Sequence, residues 1–162
     1  MEQALPLNTF SYKISVSYDG THFEGWQIQK EDQRTIQGEI NKALKKISKS
    51  ENVQTLGSGR TDSGVHALAQ IVKCTIKLEI ESEALKRALN SHLPTEIRVL
   101  SCESCSDDFH PVRDAKWKTY QYIFYEGEIL PPQHRNLMTH LNRPVDWDKA
   151  LGALELFKGR HD

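Results

Sequence analysis

The sequence predicts an α+β fold with a ferredoxin-like N-terminal domain, in the order strand, helix, strand, strand, helix, strand. One observation is the alternation of apolar and polar residues in short segments, which is typical of strands with one buried face. Another is a pair of segments whose apolar residues recur at helical spacing. These segments follow one another in the order of the split βαβ arrangement.

The first strand is predicted over residues 10–18 and ends at the turn dipeptide Asp19-Gly20. Thr35 is expected to cap the first helix. The apolar face of that helix holds Ile36, Ile40, Ala43, Leu44 and Ile47. Its opposite face holds Lys42, Lys45, Lys46 and Lys49. We interpret this lysine face as a solvated surface in preference to an RNA contact.

The remaining elements of the first domain are two strands, a helix that Pro94 ends, and a last strand. They are predicted at 52–56, 66–75, 82–93 and 97–102. An irregular connector, an aromatic strand at 119–125 and a helix at 146–158 should follow, the helix with Trp147, Ala150, Leu151, Leu154 and Phe157 on its apolar side. The predicted domains are 9–105 and 106–162, and we expect the second to be an incomplete α+β unit.

Composition limits the classes of protein that the chain can belong to. With 162 residues, 38% hydrophobic and 27% charged, it resembles an ordinary globular protein. The net charge of −1 argues against a protein that simply coats nucleic acid. No apolar run reaches the roughly 20 residues of a membrane helix, and the first residues lack the features of a signal peptide, so we expect a cytoplasmic protein.

Three cysteines suit a reducing compartment. Cys102 and Cys105 have the spacing of half a zinc site, but no second pair follows them in the sequence. We therefore expect no metal.

The segment 57–69 is the strongest candidate for a functional site. It carries three glycines in eight residues, Gly57 to Gly64, between two predicted strands, with Arg60 and Asp62 at its centre. A glycine-hinged, charged loop on a rigid scaffold is a common place for function. The alternative is an aspartate that only caps its own turn.

Several motifs of this sequence resemble those of the TruA-type tRNA pseudouridine synthases. The most specific is Gly59-Arg60-Thr61-Asp62-Ser63-Gly64-Val65-His66-Ala67. Other matches follow the family's order: Tyr18-Asp19-Gly20-Thr21, Gly25-Trp26-Gln27, Thr35-Ile36-Gln37-Gly38-Glu39, Asp108-Phe109-His110 and Lys118-Thr119-Tyr120. The resemblance implies an isomerase that converts uridine to pseudouridine without a cofactor, in the anticodon stem-loop of tRNA and as a homodimer.

The resemblance also implies residue roles. Asp62 would be the nucleophile, a role that suits a carboxylate because free Asp titrates near 3.9 and is ionised at neutral pH. Arg60 would hold Asp62 and help to extrude the target nucleotide. Tyr120 would stack on the uracil, although in an aromatic strand it could also be a core residue.

One motif departs from the family pattern. An arginine commonly stands two residues after the histidine of Asp-Phe-His, but here that place is Val112 and Arg113 follows it. Either Arg113 takes over the contact or the contact is missing. The resemblance further suggests that the chain is truncated within its second domain, so that the active site would be incomplete.

Two other classes of function compete with this interpretation. A ferredoxin-like sheet can bind RNA by stacking alone, but no Lys/Arg-Gly-Phe-Gly-Phe type strand is present. A nucleotide-binding loop would need Gly-Lys-Ser/Thr, and Asp62 would repel a phosphate at its centre.

Overall fold

The computed structural model describes residues 8–30 and 33–161. The chain forms two compact units that divide between Trp117 and Lys118. The elements of the first unit are β1 (Phe10–Tyr18), α1 (Ile36–Ser48), β2 (Gln54–Gly57), β3 (Ala67–Ile76), α2 (Ser82–His92) and β4 (Ile97–Ser104). The α+β class and the order of the six elements are confirmed. The domain limits given above stay a prediction.

The sheet of the first unit has the order β2-β3-β1-β4, and all neighbouring strands are antiparallel. β1 lies between β3 and β4, so that Ile14 pairs with Val72 on one side and with Cys102 on the other. The alternation seen in the sequence therefore directs one set of β1 side chains into the core. The buried β1 residues are Tyr12, Ile14, Val16 and Tyr18.

The first helix begins where the sequence predicts. The hydroxyl of Thr35 accepts a hydrogen bond of 3.1 Å from the amide of Gly38, which is a side-chain N-cap. The apolar face of α1 is buried against the sheet through Ile36, Ile40, Ala43 and Leu44. On the opposite side, ion pairs join Lys42 to Glu39 and Lys45 to Glu51.

The second unit has little regular structure. Its elements are β5 (Phe124–Tyr125), β6 (Thr139–His140), α3 (Trp147–Leu154) and the 3₁₀ turns Pro132–His134 and Glu155–Phe157. β5 and β6 pair in parallel. None of residues 118–161 is buried.

Two predictions for this unit are wrong in extent. The aromatic strand predicted at 119–125 is reduced to Phe124 and Tyr125. A strand is held by the hydrogen bonds of a neighbour. Within the described chain β6 pairs with Phe124 and Tyr125 and adds one bond of 2.8 Å from the Thr139 amide to the Ile123 carbonyl, so residues 119–122 have no strand partner. The helix predicted to Lys158 ends at Leu154 and continues only as a 3₁₀ turn. Its apolar side is exposed, with Leu154 at 55% and Phe157 at 79%.

Within residues 8–30 and 33–161, no helix combines the length and apolar character that crossing a bilayer requires.

Candidate active site

The candidate site is built on the connection from β2 to β3, residues 58–66, which we call the Asp62 loop. The amide of Ser58 donates to the carbonyl of Ile71 at 2.8 Å, so the strand pairing continues into the loop. The amide of Val65 donates to the carbonyl of Asp62 at 3.2 Å and closes a turn in which Gly64 has φ +78°. The side chain of Asp62 is exposed at this turn.

A second connection between β1 and α1 lies against the Asp62 loop, and we call its described residues, 19–30 and 33–35, the first loop. The amide of Trp26 donates to the carbonyl of Thr61 at 3.0 Å. In return, the amide of Gly64 and the hydroxyl of Ser63 both donate to the carbonyl of Phe23, at 3.3 and 3.2 Å. These bonds hold the Asp62 backbone from both sides.

The first loop is itself fixed to the helix that follows it. The first amides of an α-helix lack partners inside the helix. Here the amide of Ile36 donates to the carbonyl of Gly25 at 3.2 Å, and the amide of Gln37 to that of Trp26 at 2.9 Å. The first loop therefore fixes the position of the Asp62 loop relative to α1.

Two glycines let the loops approach each other. Gly25 has φ +89°, and a Cβ placed on it would lie 2.6 Å from the carbonyl oxygen of Thr61. A Cβ on Gly20 would lie 2.0 Å from the carbonyl oxygen of Val65. A side chain at either position would force the two loops apart.

The carboxylate of Asp62 faces an open cleft of about 640 Å³. One wall is formed by the first loop through Glu24, Trp26, Gln27 and Gln29, and the other by residues 60–63. No hydrogen bond or ion pair between residues of the described ranges, 8–30 and 33–161, involves the Asp62 side chain. The carboxylate is thus available to a molecule in the cleft.

Arg60 is exposed and lines the same cleft. The described part of the chain shows no ion pair between Arg60 and Asp62. The two side chains therefore share the cleft without neutralising each other, and the expectation that Arg60 holds Asp62 stays a prediction.

Tyr120 belongs to the second unit, where it precedes β5 and is 76% exposed. Its expected contact with uracil stays a prediction. Arg113 and Val112 lie in a short turn of the first unit. Their amides donate to Nδ1 of His110 at 3.2 and 3.3 Å, so that the imidazole organises this turn.

Asp19 and His66 lie together at the base of the first loop. Nδ1 of His66 is 3.1 Å from the carboxylate of Asp19 and 3.3 Å from the amide nitrogen of Gly20. The hydroxyl and amide of Thr21 donate to the same carboxylate, and the imidazoles of His66 and His22 lie nearby. Together they lower the pKa of Asp19 below its ordinary value.

No group of three or more His, Cys, Asp and Glu side chains within residues 8–30 and 33–161 is placed to bind a metal ion. The pair Cys102 and Cys105 lies at the end of β4, and Cys102 is buried in the core.

Reasoning from the sequence missed the wall that the first loop contributes. Glu24, Gln27 and Gln29 carry no periodic signal, and they reach the cleft through main-chain bonds that span more than 30 residues. The one available sign was Gly25-Trp26, where a glycine precedes a large aromatic residue inside a loop.

Comparison with known proteins gives the context of this site. A protein family described as tRNA pseudouridine synthase matches residues 14–112. The tRNA pseudouridine synthase A of Latilactobacillus sakei subsp. sakei (strain 23K) is 41% identical over 154 residues, which are 95% of this chain and 61% of that protein. Those of Limosilactobacillus reuteri (strain DSM 20016) and Streptococcus pneumoniae serotype 19F (strain G54) are 39% and 38% identical, over 94% and 93% of this chain.

The chain spans 61%, 60% and 60% of the length of these three relatives. The matched family segment contains the second half of β1 from Ile14, both loops of the cleft and Asp62. The chain belongs to the tRNA pseudouridine synthase family.

Proposed function

We propose that the full-length protein is a tRNA pseudouridine synthase and that Asp62 is its nucleophile. The observation that carries this proposal is the Asp62 carboxylate, which is exposed to the cleft on a backbone held from both sides by the first loop. Membership of the family supplies the class of substrate.

The reaction is an isomerisation, so its atoms and electrons balance without an oxidant or a phosphate donor. The carboxylate of Asp62 attacks C1′ of the ribose, and the N1–C1′ bond breaks with its electron pair on the uracil. The uracil turns in the cleft. Its C5 then forms a bond to C1′ and displaces the carboxylate, C5 loses its proton to a base, and N1 gains one.

Two further residues have proposed roles, Arg60 from its chemistry and Tyr120 from the resemblance. Arg60 lines the cleft with Asp62, and its planar guanidinium can bind a phosphate of the nucleotide turned out of its stack. Tyr120 stacks on the uracil, and its hydroxyl oxygen takes the proton from C5 while it passes its own proton to solvent. The resemblance of Lys118-Thr119-Tyr120 to the family motif supports the role given to Tyr120.

We propose, from the resemblance, that the target uridines lie in the anticodon stem-loop and that the enzyme is a homodimer. The cysteine usage of the sequence supports a cytoplasmic enzyme. Either Arg113 replaces the arginine missing at Val112 or that contact is missing. Turning a base out of its stack costs less free energy in a loop than in a duplex, because the bases of a loop are already partly unstacked.

The test uses Asp62→Asn in the full-length protein, with tRNA tritiated at C5 of its uridines. Tritium release should fall to background while tRNA binding stays close to wild type, because the substitution keeps the shape and removes the charge. Glu51→Gln is the matched control, since it removes one exposed charge of the first unit outside the cleft. Wild-type release by Asp62→Asn would remove Asp62 from the mechanism, and tRNA binding without any release by the wild type would favour a binding module.

A further inference from the structure

We propose that Tyr18 is a positioning residue for Asp62 and acts through the hydroxyl of Thr61. This inference rests on the proposed role of Asp62 as the nucleophile. It concerns a buried residue at the end of β1, outside the cleft wall.

The contact joins two hydroxyl groups beneath the Asp62 loop. Oη of Tyr18 lies 2.9 Å from Oγ1 of Thr61, which is the residue immediately before Asp62. Tyr18 is only 3% exposed, and its burial raises the pKa of its hydroxyl, which stays protonated at neutral pH. A longer contact of 3.5 Å runs from the same hydroxyl to Oε1 of Gln70. When Tyr18 donates its proton to Gln70, its oxygen accepts from Thr61, and both contacts are satisfied together.

Thr61 is held at its main chain as well. Its carbonyl accepts the amide of Trp26 at 3.0 Å, and the ring of Trp26 lies against that of Tyr18 with 6.2 Å between centroids. The three residues therefore form a closed set of contacts in which each touches the other two. Tyr18 fixes this set to the sheet, because it pairs with Ala67 of β3 and Ile97 of β4.

Gln70, which the Tyr18 hydroxyl also contacts, carries a polar group that is not optimised for stability. Nε2 of Gln70 is buried and has no hydrogen-bond partner within the part of the chain that the structure describes. Leaving a buried donor unpaired is unfavourable for folding. The retention of such a group beside the Tyr18 hydroxyl supports a role in function.

The expected consequence is a loss of turnover and not of affinity. Without the Tyr18 hydroxyl, Thr61 loses its side-chain anchor while its main-chain bond remains, and the Asp62 carboxylate gains freedom relative to C1′. Misplacement of a reacting group by about 1 Å lowers rates roughly 10²-fold. We therefore expect Tyr18→Phe to lower kcat about 10- to 100-fold with little change in KM for tRNA.

Tyr12→Phe is the matched control, because Tyr12 lies on the same strand and is equally buried at 3%. Its hydroxyl donates to the carbonyl of Ile80 at 2.9 Å and accepts from the amide of Ile80 at 2.9 Å, at the far end of β1 from Asp62. Tyr12→Phe should lower the Tm at least as much as Tyr18→Phe and leave kcat unchanged.

The partner side of the contact gives a second measurement. Thr61→Val removes the hydroxyl and keeps the branched shape, so it should lower kcat as Tyr18→Phe does. Thr61→Ser should recover most of that loss. The double variant Tyr18→Phe/Thr61→Val should be no slower than the worse single variant, because both remove the same contact.

The positioning role is overturned if folded Tyr18→Phe turns over at the wild-type rate. It is also overturned if kcat falls in proportion to Tm in both Tyr18→Phe and Tyr12→Phe. It is also overturned if the double variant is additive. Asp62→Asn, measured beside them, separates the two proposals. If Asp62→Asn is inactive and Tyr18→Phe is unimpaired, only the positioning role fails, whereas an active Asp62→Asn removes the proposed nucleophile itself.

Discussion

Gly25 lies so close to Thr61 that a methyl group on its Cα would stand 2.6 Å from the Thr61 carbonyl oxygen. The contact joins the two loops of the cleft at the residue before Asp62. Glycine is required at position 25 for two reasons: a side chain would collide with the Thr61 carbonyl, and the φ of +89° is one that other residues rarely adopt.

Gly25→Ala should therefore destabilise the first unit and lower activity. Gly64→Ala is the matched control, because Gly64 also has a positive φ, +78°, but has no atom within 4 Å of the added Cβ among the described residues. The control should cost about 1–2 kcal/mol for its backbone conformation alone, and Gly25→Ala should cost more. Urea denaturation measures both, and equal costs would show that the close approach is unimportant.

Thr35→Ala should reduce the free energy of unfolding by about 1 kcal/mol. The substitution removes the acceptor of the 3.1 Å bond from the Gly38 amide, which then has no partner at the buried start of α1. Thr35→Ser keeps the acceptor and should retain most of the stability. A similar loss in both variants would mean that the methyl group, and not the cap, is what matters.

Asp19 should make stability depend on pH in the acid range. Because the folded state lowers the pKa of Asp19 below 3.8, its contribution is complete above that pH and is lost as the pH falls through the folded-state value. Asp19→Asn should therefore have a lower Tm than wild type at pH 7, and the difference should shrink below about pH 3.8. A difference in Tm between wild type and Asp19→Asn that stays constant from pH 7 to pH 2.5 would contradict this. Since the side chain is 52% exposed, the effect should stay below about 1 kcal/mol.

The cysteines should differ in their reactivity towards iodoacetamide. Burial raises the pKa of Cys102 to about 11, so little thiolate forms at pH 8, and Cys74 is shifted upward further. Cys105 is only half-buried and should react first, Cys102 slowly, and Cys74 only after unfolding. Mass spectrometry of native and urea-treated protein measures the order, and labelling of Cys74 in the native protein would contradict it.

The strands and helices of the first unit were predictable because each buries one face, which makes apolar residues recur at a regular spacing in the sequence. The alternation in β1 and the spacing in α1 both follow from having one face in the core, and the order of elements then leaves few sheet topologies. Predicted and observed ends differ by one or two residues in most of these elements, for example at β2, where Gln54–Gly57 replaces 52–56.

The second unit was less predictable for a related reason. Aromatic residues such as Tyr120 and Tyr122 favour a strand through their side chains, but a strand also needs a hydrogen-bonded neighbour. Residues 118–122 have none within the described chain, and their side chains remain exposed.

One wall of the cleft was predictable. Glycines around two charged residues indicated a tight, exposed turn at the Asp62 loop, and the function of that turn stays a prediction. The opposite wall of the cleft depends on main-chain bonds between distant residues, such as Trp26 and Thr61, and those leave no pattern in a single sequence.

The bonds that hold the Asp62 loop run largely between main-chain atoms, and this separates two kinds of evolutionary change. Replacing Glu24, Gln27 or Gln29 alters the surface that an RNA would meet but keeps the amides and carbonyls that fix the carboxylate. Substitutions at these three positions can therefore change the surface of the cleft while the backbone around Asp62 keeps its place, as long as the glycines between the loops are retained.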